Sequence, residues 1–128
     1  KPQILTFHLG IPPRDVIDRA RGLGILVGIT ATSLYEADLI EKAGAGFIIA
    51  QGIEAGGHRG KFSDNLPDEE TSLAHLVGDL LEHVKIPVVA SGGLMSGVDV
   101  GRMLECGAAA AQMGTALLCC DEAGNCDL

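Results

Sequence analysis

Five short apolar runs punctuate the chain: QILTFH from Gln3, ILVGIT from Ile25, FIIAQG from Phe47, PVVASGG from Pro87 and AAAQMGT from Ala109. Their starts are about 22 residues apart, except for the third interval of about 40, and one strand, turn, helix and turn of a compact α/β unit needs about the shorter length. The stretches between them carry apolar residues at helical spacing. Val16, Ile17 and Ala20 share a face of a segment from Pro13 to Arg21, with Pro13 suited to a first turn. Ser33 stands three residues before Glu36, the spacing of a capping box, and opens a helix through Lys42 with Gly44 placed at its end. Leu73, Leu76, Val77, Leu80 and Leu81 mark a helix over Thr71 to His83. Val98, Val100, Met103 and Leu104 mark another over Ser96 to Cys106, ending at Gly107.

The strand runs are continuously apolar instead of alternating, as expected where both faces of a parallel sheet are covered. Alternating strands and helices at this period give a parallel α/β architecture, either a doubly wound sheet or part of a closed barrel. The near-constant period favours the barrel. The chain opens at Lys1 directly on strand-like sequence and stops in a polar stretch, while a (β/α)₈ barrel takes ~250 residues. Residues 1–128 are therefore expected to be a fragment of a single TIM-barrel domain, about its C-terminal half, with five parallel strand units.

Composition narrows the partners. Hydrophobic residues make up 47% and charged residues 20%, and the mean hydropathy is +0.30, which describes a globular chain. With no Trp, one Tyr, three Phe and a net charge of −8, stacking platforms and phosphate attraction are both lacking, so nucleic acid is not expected as a partner. Cys106, Cys119, Cys120 and Cys126 form no C-x-x-C pair and read as reduced thiols of a cytoplasmic protein, Cys119 and Cys120 as small buried hydrophobes. No apolar run reaches the ~18 residues of a membrane span. No His, Cys and carboxylate cluster has metal-ligand spacing, so no metal is expected.

In a barrel the chemistry gathers on the loops after the strands. The third loop carries the interruption of the period and spends about 18 extra residues, an investment that usually accompanies function. It holds His58 and Arg59 among Gly52, Gly56, Gly57 and Gly60. His58 there is either a general base working near neutral pH or a surface histidine on a glycine-rich turn. Ser91-Gly92-Gly93 and Gly114-Thr115 end the next two strands, where barrels commonly hold a phosphate on backbone N–H groups; tight turns alone would give the same glycines. His8 ends the first strand and reads as a core histidine, and His75 and His83 as solvated helix positions.

These segments together resemble the nitronate monooxygenase family, formerly the 2-nitropropane dioxygenases. Ala50-Gln51-Gly52-Ile53-Glu54-Ala55-Gly56-Gly57-His58-Arg59-Gly60 is similar to its signature loop. Thr6-Phe7-His8-Leu9-Gly10, Thr30-Ala31-Thr32-Ser33, Pro87 to Gly93 and Gln112-Met113-Gly114-Thr115 follow in the family's order. The resemblance implies a TIM barrel with FMN and no metal. It makes His58 the catalytic base, puts Gln51 and Gly56 against the flavin, and gives the ribityl phosphate to Gly92, Gly93, Gln112, Met113, Gly114 and Thr115. The implied reaction oxidises alkyl nitronates, or nitroalkanes after α-proton removal, with O₂ to a carbonyl compound and nitrite. Flavin-dependent enoyl-acyl-carrier-protein reductases share EAGGH but tend to have Glu where Gln51 stands and an apolar residue at Arg59. A non-catalytic FMN- or phosphate-binding barrel is the other alternative. By itself the fragment is expected to be inactive.

Overall fold

The computed structural model describes residues 1–65, 67–118 and 120–124. Five strands and four helices alternate: β1 (Ile4–Phe7), α1 (Arg14–Gly22), β2 (Leu26–Ala31), α2 (Leu34–Ala43), β3 (Phe47–Gln51), α3 (Leu73–His83), β4 (Val88–Ser91), α4 (Gly97–Glu105) and β5 (Ala110–Gln112). Short 3₁₀ turns follow at Thr115–Leu117 and Asp121–Ala123. The strands pair in parallel in the order β1-β2-β3-β4-β5. Parallel crossovers within one sheet are right-handed, so an unbroken sequential order places every helix on the same face. A doubly wound sheet reverses its order partway and covers both faces. The α/β architecture is thus a half-barrel, five parallel strands of a TIM barrel.

Strand register sorts the side chains into two faces. Ile29, Ile48 and Val88 lie in one row, and Ala31, Ala50, Ala90 and Ala111 in another. Apart from Ala111, which is half-buried beside the core, these residues are in the core that the helices cover. On the opposite face, Thr6, Gly28 and Phe47 make a row near the N-terminal ends, and Thr30, Ile49, Val89 and Ala110 a row above it. Gln51, Ser91 and Gln112 form the last row. The inner face therefore turns polar toward the C-terminal rim. Glycine at position 28 is required by its neighbour, because a Cβ there would fall inside the Phe47 ring.

The continuous burial expected of every strand holds for β3 and for β2 after Leu26, whereas β1 alternates between exposed and half-buried residues and β5 is largely exposed. The difference follows from position, since β1 and β5 are the sheet's outer strands. Helix faces follow the apolar spacing: Leu73, Leu76, Val77 and Leu80 of α3 are buried, each worth roughly 1.5–3 kcal/mol when fully removed from water. On α4 only Met103 is buried, while Val98 and Leu104 stay exposed.

Caps differ in one informative place. Ser33 Oγ accepts from the Glu36 N–H at 3.3 Å, but Glu36 does not reciprocate. Its carboxylate instead accepts from the Thr32 N–H at 2.6 Å, the Thr32 hydroxyl at 2.9 Å and the Phe62 N–H at 2.8 Å. Glu36 is buried, and these donors replace the water its charge has lost. A reciprocal capping box does form at Ser96 and Asp99, where the Ser96 hydroxyl and nearby N–H groups hold the Asp99 carboxyl below its usual range. Gly44 closes α2 in the left-handed conformation, as its position implied.

Candidate active site

The loop between β3 and α3 folds back on itself. Its ends meet where the Ile53 N–H donates to the Thr71 carbonyl at 3.0 Å. Glu54 then spans 19 residues to accept from the Leu73 N–H at 2.9 Å, supplying the first turn of α3 with an acceptor that the N-cap Ser72 side chain does not provide.

Residues 58–60 lie across the end of β3. Gln51, buried at 7% exposure, donates from Nε2 to the His58 carbonyl at 3.0 Å and accepts at Oε1 from the Gly60 N–H at 2.7 Å. Arg59 Nη1 donates to the Gln51 and Gly52 carbonyls at 2.9 and 2.7 Å. Its Nε and Nη2 engage Asp68 Oδ2 and Oδ1 at 2.8 and 3.0 Å, a bidentate pair. The Arg59 guanidinium holds the Asp68 carboxyl down at about 2, against an opposing effect of burial. His8 Nε2 donates to the same His58 carbonyl at 3.1 Å, and Nδ1 meets the Thr30 hydroxyl at 3.1 Å. A carbonyl can only accept, so Nε2 carries a proton and, in the neutral ring, Nδ1 accepts from Thr30. Gly60 fits under this ring; a Cβ would lie 2.8 Å from His8 Cε1.

Beside this loop a cavity of about 410 Å³ opens on the C-terminal rim, within the roughly 300–1,000 Å³ typical of small-ligand sites. Its lining includes Gln51, Gly56, Gly92, Gly93, Gln112, Met113, Gly114 and Thr115, together with Glu54, Ala55, Ser91, Leu94 and Met95. Every cofactor-contact residue expected from the sequence thus borders one cavity. The three loops touch closely: a Cβ on Gly56 would sit 2.8 Å from the Thr115 hydroxyl, and one on Gly93 2.7 Å from Glu54 Cβ. Gly92 and Gly93 adopt φ of +120° and +65°, which turns the chain where a side chain would be strained. The N–H groups of Gly93, Gly114 and Thr115 donate to no described residue, and no Lys or Arg lines the cavity. An anion there would be held by neutral backbone donors.

His58 is at the rim but outside that lining. Its side chain is exposed and its carbonyl is fixed next to Gln51, so it flanks the cavity from the β3 side. Gln51 borders the cavity with its amide already engaged by the loop, which makes it a brace for the loop as well as a wall. His8, read from the sequence as a core histidine, is exposed and bound to the His58 loop. His75 is exposed against Ser72, and His83 pairs at the surface with Asp38 at 3.3 Å. Cys120 is half-buried, and Cys119 lies outside the described residues. Among the described residues no group of three His, Cys, Asp or Glu could hold a metal, and no helix is long and apolar enough to cross a membrane. Sequence reasoning missed the part that Asp68, Glu36 and Glu54 play in organising the loop: Asp68 is singled out by no motif, Glu36 reads only as a cap, and Glu54 acts on a residue 19 positions away.

The nitronate monooxygenase family model matches residues 1–128. A nitronate monooxygenase of Pseudomonas aeruginosa is 46% identical over 122 residues, covering 95% of this chain and 35% of that protein. Among solved structures, nitroalkane oxidase from Streptomyces ansochromogenes superposes with a TM-score of 0.89 at 47% identity, over 94% of this chain and 35% of that one. FabK from Thermotoga maritima superposes with a TM-score of 0.74 at 33% identity, over 91% and 34%. The chain spans about a third of the length of the relatives it matches.

Proposed function

The chain belongs to the nitronate monooxygenase family, and from that membership we propose that the whole protein oxidises alkyl nitronates with dioxygen on an FMN cofactor, releasing a carbonyl compound and nitrite. The observation that carries this reading is the convergence of the β3, β4 and β5 loops on one 410 Å³ cavity. The donor set fits a flavin nucleotide. Gly93, Gly114 and Thr115 would hold the phosphate through backbone N–H groups that have no other described partner, with Gly92, Gln112 and Met113 beside them. Gln51 and Gly56 would line the flavin, and the glycine at 56 leaves room that a Cβ would close. FMN, when bound, supplies a two-electron acceptor that returns to the oxidised state with dioxygen.

The chain's own residues then position and deprotonate. A neutral nitroalkane needs its α-proton removed; the exposed imidazole of His58 accepts it and leaves a nitronate beside an imidazolium. A preformed nitronate skips that step. Replacing His58 by Asn is expected to lower nitroalkane turnover by roughly 10²–10⁴-fold, the usual worth of a positioned base, while nitronate turnover and flavin content stay close to wild type. The test is nitrite release and oxygen uptake by the whole protein, with its visible absorption recorded alongside. A folded whole protein without a flavin spectrum, or one that consumes NAD(P)H with an enoyl thioester and ignores nitronates, would falsify the assignment.

A further inference from the structure

His58 follows Gly56 and Gly57, and a Cβ on Gly57 would meet nothing within 4 Å. The His58 carbonyl is held by Gln51 and His8, and the next residue, Arg59, uses four of its five N–H groups, two on carbonyls at the end of β3 and two on Asp68. The pair is mostly shielded from water, with side-chain exposures of 17% and 18%, so it is not one of the solvated surface pairs that contribute little. The chain also accepts strain to present the carboxylate. Glu70 has a φ of +49°, unusual for a side chain of its kind, and its N–H donates back to Asp68 Oδ1 at 3.1 Å.

We propose that Asp68 is a positioning residue, which locks the Arg59 guanidinium over the end of β3 and so fixes where the neighbouring His58 stands at the rim. This rests on the reading of His58 as the base. Asp68 lies outside the glycine-rich motif and outside the cavity lining, and it acts only through Arg59. Without its charge the guanidinium keeps the two carbonyls but loses its bidentate partner, and residues 58–60 are left with the contacts to Gln51, His8 and the end of β3 alone among the described residues. A displacement of about 1 Å in a reacting group can cost 10²-fold in rate.

The experiment uses the whole protein with Asp68→Asn, Asp68→Glu and His58→Asn. One readout is the ratio of turnover on a neutral nitroalkane to turnover on the preformed nitronate; the other is tryptic cleavage after Arg59, which requires that side chain to leave its latch. Asp68→Asn is expected to lower the ratio by 10- to 100-fold, with flavin content and nitronate turnover within about two-fold of wild type. Cleavage between Arg59 and Gly60 should quicken at least ten-fold by the same loss of restraint, and Asp68→Glu should restore part of both. An unchanged ratio with unchanged cleavage overturns the proposal. So does a parallel loss of flavin and of both activities, which marks Asp68 as part of the general scaffold. If His58→Asn leaves the ratio unchanged, the base reading fails by itself. Where neutral nitroalkanes are not turned over at all, the tryptic rate alone decides, and a rate equal to wild type counts against the latch.

Discussion

Asp68 and Gly93 show how single residues set the rim. The Arg59 guanidinium lowers the Asp68 pKa from 3.8 to about 2, so the folded state binds the carboxylate's proton less readily than the unfolded chain does. The stability gained from the pair is complete above the ordinary carboxylate pKa and is lost as pH falls through about 2. Chemical unfolding of wild type and Asp68→Asn is therefore expected to show a gap that is constant from pH 5 to 8 and narrows below pH 4; a gap independent of pH would contradict the pairing. Gly93 has a different constraint. Its φ of +65° and the 2.7 Å approach to Glu54 Cβ both oppose a side chain. Gly93→Ala is expected to cost about 1–3 kcal/mol, seen in denaturant unfolding, and to weaken flavin retention by the whole protein.

At the scale of elements, the period of the apolar runs located every strand and helix because each unit repeats one solution to burying a strand and a helix face. Leu73, Leu76, Val77 and Leu80 announce α3 through spacing alone. The glycine turn after β4 was equally legible, since positive φ at Gly92 and Gly93 favours that residue type. What could not be read is who partners whom across the loop. Glu36 has the spacing of a capping box yet spends its carboxylate on Thr32 and Phe62, a choice made by burial and by a loop 26 residues away. Ser96, whose box is reciprocal, offers the cleaner test. Ser96→Ala should destabilise α4 by about 1 kcal/mol, measured as a small shift of the unfolding midpoint, and should leave the loop around His58 untouched.

For the whole molecule, the sheet order makes β1 and β5 outer strands with one unpaired side each, next to exposed apolar residues including Ile4, Leu26 and Leu117. Open edges and apolar surface invite self-association. Residues 1–128 produced alone are expected to associate with rising concentration in light scattering and to bind flavin poorly; a monodisperse segment with a stoichiometric flavin spectrum would contradict this. Inside the sheet, the Phe47 ring occupies the space that Gly28 leaves open, with Ile49 in the row above it. The floor of the half-barrel is filled by hydrocarbon at Gly28 and Phe47, and the cavity lies at the other end of the strands, among the loops of the C-terminal rim. Substrate entering from that rim would meet departing product there, and the product is expected to compete with it for the vestibule in steady-state inhibition by the whole protein.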